Sequence, residues 1–119
     1  MDMRIDKQKA LSELGITESF YNELIQDFIA QAVPAVKSLD EALERGNLDE
    51  LAGLAHFIKG SAGNLRIEEI YLIAKDLELC CKQRKDKQVI EQGVLGLKAA
   101  MEEFKKMFSS DNIDKSIEK

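Results

Sequence analysis

The stretch LDELAGLAHFIKGSAGNL, residues 48–65, places apolar side chains at Leu48, Leu51, Ala55, Ile58, Ala62 and Leu65. This spacing of alternating threes and fours keeps them on one stripe of an α-helix, the pattern of a helix packed into a bundle. Asn47, with Glu50 three residues later, reads as a capping-box start. The same helix carries Gly53, Gly60 and Gly63. Each costs about 0.8–1 kcal/mol relative to alanine in a helix interior, so the segment gives up roughly 2–3 kcal/mol of helical preference. A helix that accepts such a loss needs part of its surface kept bare.

Working outward, the flanking sequence divides into further helical segments. A short helix is expected from Asp6 to Leu14, with Asp6 as N-cap and Gly15 as the stop. Thr17 opens a long segment to about Arg45, in which Phe20, Leu24, Phe28, Val36, Leu39 and Leu43 recur at helical spacing and Pro34 should bend or interrupt the helix. After residues 48–65, a fourth helix runs from about Glu68 to Arg84 on Ile67, Ile70, Ala74, Leu77 and Cys81. A fifth runs from about Lys87 to Phe108 on Ile90, Val94, Leu97, Met101, Phe104 and Phe108. The expected fold is all-α: an antiparallel four-helix bundle with a short N-terminal covering helix, formed by residues 1–108. Residues 109–119 are expected to form a polar, frayed tail.

Composition narrows the function. A chain of 119 residues, 45% apolar and with one proline, suits a single core. A net charge of -5 argues against nucleic acid, which needs clustered Lys and Arg, and the basic run KQRKDK (82–87) reads as a solvated turn between helices. No apolar run approaches the roughly 20 residues of a membrane span, and the N-terminus has no signal-peptide core, so a cytoplasmic protein without membrane contact is expected. Cys80 and Cys81 are adjacent, with neither CxxC spacing nor a nearby histidine, which supports no zinc site and no disulfide framework. No metal or cofactor of its own is expected.

His56, the single histidine, lies roughly 130° around the helix from the apolar stripe and should face solvent. Gly53, Gly60 and Gly63 fall on the same side and would clear an approach to the ring. Lys59, one turn on, can reach a charge placed on the imidazole, as lysine does at phosphates. If the next helix folds back about a turn near Leu65 to Ile67, Glu78 stands at the height of His56. A carboxylate there could accept from one ring nitrogen and leave the other as nucleophile, although a plain surface role for Glu78 is equally open.

These residues resemble a known family. AHFIKGSAGNL is similar to the signature AHxLKGSA of histidine-containing phosphotransfer (HPt) domains, and the lead-in GNLDELAGLAH and the pair Leu77–Glu78 extend the likeness over roughly residues 5–108. The resemblance implies that His56 is a phosphoacceptor, Lys59 a partner of the phosphoryl oxygens, and Gly60 a position kept small for a docking domain. Glu78 matches a position where some members place a polar partner for the histidine. It further implies response-regulator receiver domains and a sensor or hybrid histidine kinase as partners, with magnesium carried by the receiver. The chain departs from the family at Arg66-Ile67, where many members have Gly-Ala; Arg66 either alters the turn or adds positive charge near the docking surface.

The expected function is therefore phosphoryl transfer in a two-component phosphorelay, His56 accepting from a receiver aspartyl phosphate or a kinase and passing to a receiver aspartate. The alternative is a helical interaction module that binds receivers or other partners without carrying phosphate. An enzyme with its own catalytic site is disfavoured by the single histidine and the lack of a Gly-rich phosphate loop.

Overall fold

The computed structural model describes residues 6–118, with side chains described over 6–108. Its helices are α1 (Lys7–Leu14), α2 (Glu18–Arg45), α3 (Leu48–Asn64), α4 (Glu68–Lys82) and α5 (Lys87–Glu118). No strand occurs among the described residues. The first three helices start on side-chain caps. Asp6 Oδ1 accepts from the Lys9 N–H (3.0 Å), Thr17 Oγ1 from Phe20 (3.2 Å) and Asn47 Oδ1 from Glu50 (3.0 Å). Each satisfies a first-turn donor that has no partner within its helix.

The helix ends share one solution reached with two kinds of residue. Gly15 and Gly46, both at φ 66°, end α1 and α2 in the left-handed conformation that glycine adopts without steric cost. Arg66 (φ 62°) and Arg84 (φ 52°) do the same after α3 and α4. At the α3 end the Ile67 N–H donates to Ala62 O (2.9 Å) and the Arg66 N–H to Gly63 O (3.1 Å), the two bonds of a Schellman turn. The turn thus keeps the hydrogen bonding that a glycine would give it. The Arg66 guanidinium folds back, Nη1 donating to Gly63 O (3.0 Å) and Nε to Glu13 Oε1 of α1 (2.9 Å). Its charge is paired with α1, whose other end is held by Lys7 on Glu18 (3.1 Å).

The helical bundle closes because α3 packs against α2 and α4, while α5 packs against α4 and α2. The expected stripes of α3, α4 and α5 are buried, apart from a half-buried Leu48. α2 corrects the expectation. Its buried residues are Tyr21, Ile25, Phe28, Ala32, Ala35, Leu39 and Ala42; Phe20 is exposed, and Leu24, Val36 and Leu43 are half-buried. Apolar residues occupy two neighbouring stripes of α2, and three of the seven buried positions are alanines. Phe28 meets Phe104 of α5 edge to face, with ring centroids 5.8 Å apart. α2 also continues through Pro34 without interruption, and α5 runs to Glu118, past the end expected at Phe108.

One buried polar contact ties α2 to the α3–α4 turn. The Tyr21 hydroxyl donates to Leu65 O at 2.6 Å, satisfying a carbonyl at the end of α3, and burial pushes the phenol's pKa up.

Candidate functional site

α3 and α4 form an antiparallel hairpin whose register is set by two facing pairs. Near the turn Gly63 lies under Tyr71; two helical turns away His56 lies beside Glu78. The members of these pairs are seven residues apart on each helix, so both stand on the same side of the hairpin. That register brings the expected His56, Lys59 and Glu78 together.

The His56 side chain is 67% exposed, whereas that of Glu78 is 6% exposed. His56 Nδ1 is 3.1 Å from Glu78 Oε2. Lys59 Nζ lies 2.7 Å from Oε1 of the same carboxylate, and Lys82 Nζ lies 2.9 Å from Oε2. The hydrogen bond from Lys59 is the main cause that lowers the Glu78 pKa to about 2; burial opposes it, and Lys82 adds to it. Glu78 is therefore ionised at neutral pH and acts as an acceptor only. In a neutral ring this places the proton on Nδ1, donating to Glu78, and leaves the lone pair on Nε2.

Lys82 was not expected at the site, since it opens the basic run KQRKDK and reads as part of a solvated turn. The signal was its i+4 position after Glu78, which puts both on one face of α4. Arg84, two residues further, ends α4 and approaches Asp49 at 3.6 Å. That contact places the C-terminal end of α4 beside the N-terminal end of α3.

The three glycines separate. A side chain at Gly53 or Gly60 would meet nothing within 4 Å, so both lie on open surface. Gly63 does not: a Cβ there would stand 3.1 Å from Tyr71 Cδ1, and the residue is half-buried. It serves helix packing. A helical wheel does not anticipate this contact, because it gives direction around α3 but not which α4 side chain covers that direction. Phe57, beside His56, is a large apolar side chain left exposed on α3.

No group of three or more His, Cys, Asp or Glu able to hold a metal ion occurs among the described residues. No helix among them is long and apolar enough to cross a membrane. Cys81 is buried on the α4 stripe with its thiol pKa raised by burial, and both it and Cys80 are free thiols.

No solved structure matches the chain. The phosphorelay intermediate protein YPD1 of Candida albicans is similar, 34% identical over 53 residues, a segment covering 44% of this chain and 29% of that protein. The match thus spans under a third of the relative's length. The family model of the Hpt domain matches residues 23–107, which include His56, Lys59, Glu78 and Lys82, and the chain belongs to the Hpt domain family.

Proposed function

We propose that the protein is a phosphorelay carrier in which His56 Nε2 accepts a phosphoryl group from a receiver aspartyl phosphate or a histidine kinase and returns it to a receiver aspartate. The observation that carries this reading is the His56–Glu78 pair: an exposed ring whose Nδ1 is engaged, at 3.1 Å, by a buried carboxylate. Glu78 orients the ring and selects the tautomer, so that Nε2 is the nucleophile. Lys59 supplies positive charge for the phosphoryl oxygens.

In this reading the described residues supply no catalytic site beyond this. The partner receiver supplies its carboxylate and a magnesium ion, and the remainder is positioning. In this reading α2, α3, α4 and α5 form an antiparallel four-helix bundle covered by α1. Support comes from the closed circuit of contacts among α2, α3, α4 and α5. Gly53 and Gly60 leave low ground around His56 for a docking receiver, with exposed Phe57 beside them. The work is cytoplasmic, with receivers and a sensor or hybrid kinase as partners and neither nucleic acid nor membrane involved.

The test is incubation with a phosphorylated receiver, followed by assay for protein-bound phosphate. Acid-labile, base-stable phosphate on the wild type and none on His56→Gln is expected. Equal labelling of both proteins would place the phosphoryl group elsewhere and end this reading.

A further inference from the structure

The outer flank of α4 carries apolar residues that the core does not use. Leu72–Ile73 and Leu79–Cys80 are two pairs seven residues apart, so they repeat on one side of the helix at a spacing of about 10 Å. Ile73 and Cys80 lean on the core, whereas Leu72 and Leu79 stay 52% and 50% exposed. α5 lies beside this flank: a Cβ at Gly93 would stand 3.0 Å from Leu77 Cδ1, a contact that sets the antiparallel register. In that register Val89, 46% exposed, stands level with Cys81, toward the α4–α5 turn from Leu79. Gly96 follows Val89 on the same line of α5, level with Ala74, and a Cβ there would meet nothing within 4 Å. Single exposed apolar side chains need no explanation, but a trough lined by them along two helices does.

Charge determines what the trough accepts. Glu69 and Asp76, again seven residues apart, follow the same flank of α4, and Glu103 continues the line of Val89 and Gly96 on α5. Asp76 and Glu103 are exposed and Glu69 is half-buried. Three lysines of these helices turn to other flanks: Lys75 over the Tyr71 ring, Lys82 to Glu78 and Lys98 to Asp40 of α2. We propose that the α4–α5 trough seats an amphipathic helix of a partner protein, one whose aliphatic seam is flanked by Lys and Arg. The same carboxylates repel nucleic acid and anionic membranes. A second copy docked symmetrically about the leucines would set two Asp76 carboxylates against each other.

A helix seated there leaves His56 uncovered. Asp76 and Glu78 point about 160° apart around α4, and Glu78 is the one turned to His56. The chain can therefore be held by one protein on the α4–α5 flank while its histidine faces another. This division of surfaces does not depend on whether His56 carries a phosphoryl group.

The test titrates the full chain with a labelled amphipathic peptide of leucine and lysine, about five helical turns long, and with its leucine and glutamate counterpart. Binding is read by fluorescence anisotropy and its place by amide NMR shifts. The lysine peptide is expected to bind with shifts concentrated on α4 and α5, and the glutamate peptide not to bind. Leu72→Gln with Leu79→Gln should weaken binding about tenfold, since both leucines have half their surface left to bury. Asp76→Lys with Glu103→Lys should also weaken it and flatten its dependence on salt. Val33→Gln, an exposed apolar position on α2, should leave it unchanged. All of these variants change side chains that face solvent, so circular dichroism should match that of the wild type. Shifts centred on another face, equal affinity for the two peptides, or undiminished affinity in the leucine double variant would overturn the inference. A dimer of the free chain that the leucine double variant dissolves would overturn it too, by making a second copy the occupant. Phosphorylation of His56 by a small-molecule donor should proceed equally with the peptide bound; a block would put the peptide over His56 instead.

Discussion

The α3–α4 hairpin contains two pairs in the same register, Gly63 with Tyr71 and His56 with Glu78, and they use the same side of the two helices in opposite ways. At the turn a missing side chain lets Tyr71 lie against the α3 backbone, with any Cβ at Gly63 only 3.1 Å from the ring. Two helical turns away the α4 member is a buried carboxylate and the α3 member an exposed imidazole. Gly60, between them, faces open space. Glycine is thus demanded from within the molecule at one end and, under the proposed function, from outside it at the other. A structural requirement and a docking requirement look identical in sequence, and only the neighbouring helix distinguishes them.

The largest effect should come from filling the open end. Under the proposed function, Gly60→Glu places bulk and negative charge where an anionic phosphoryl group approaches. Phosphotransfer from a receiver is expected to slow by about a hundredfold, the cost of mispositioning reacting groups. The circular dichroism spectrum and melting temperature should stay near those of the wild type, because nothing in the fold occupies that space. Unchanged transfer would erase the contrast between the two ends.

At the closed end the effect falls on stability. Tyr21→Phe removes the hydroxyl that donates to Leu65 O at 2.6 Å and leaves a buried carbonyl without that partner. A loss of about 1–3 kcal/mol in urea unfolding is expected. Phosphorylation of His56 by a small-molecule donor should be unaffected, since Tyr21 touches the turn and not the site.

These results follow the line between what sequence pattern conveys and what it does not. The stripes of α3, α4 and α5 are legible because large aliphatic residues recur at bundle spacing on one face and polar residues hold the other. In α2, Phe20 and Leu24 are as plausible by size as Tyr21 and Ile25, and size misleads at the buried Ala32, Ala35 and Ala42. The pairing of His56 with Glu78 is legible because a short antiparallel turn fixes heights along both helices. Lys82 escapes notice because it begins a run of charges. Arg66 and Arg84 hide two helix ends because left-handed backbone is expected of glycine; there, hydrogen bonding across the turn holds a less suited residue in place.

Acid should separate the two ends by charge. The Glu78 pKa is lowered from 4.5 to about 2, so its ion pairs contribute fully above pH 4.5 and are lost as pH falls through about 2. Stability should decline over that window, and Glu78→Gln should flatten the decline. The Tyr21–Leu65 contact has no group that titrates there, so amides around the α3–α4 turn should keep their protection from hydrogen exchange after the His56 site has loosened. A Glu78 resonance titrating at the ordinary carboxylate pKa would contradict this ordering.

Alanine sharpens the comparison on a smaller scale. Gly60→Ala should stabilise the fold by about 0.8–1 kcal/mol, the full helical preference, because its methyl group meets nothing. Gly63→Ala gains the same preference but loses most of it against Tyr71, and Tyr71→Ala in the Gly63→Ala background should return the difference in a double-mutant cycle. Equal effects at the two glycines would show that Tyr71 yields freely and that the closed end is not closed.

The smallest contrast lies at the helix ends. Glycine in place of Arg66 or Arg84 relieves left-handed strain of about 1–2 kcal/mol, partly offset by the greater freedom of glycine in the unfolded chain. Arg84→Gly surrenders only a long, exposed approach to Asp49 at 3.6 Å and should be stabilising by about 0.5 kcal/mol. Arg66→Gly also surrenders the bonds to Gly63 O and Glu13, and should gain less or nothing in chemical denaturation. The deficit should appear as faster hydrogen exchange in α1, whose tie to the turn runs through Glu13. If Arg66→Gly stabilises as much as Arg84→Gly with α1 equally protected, the guanidinium merely tolerates its strained position. If it does not, Arg66 keeps its left-handed backbone at a cost because it binds α1 to the hairpin that carries His56.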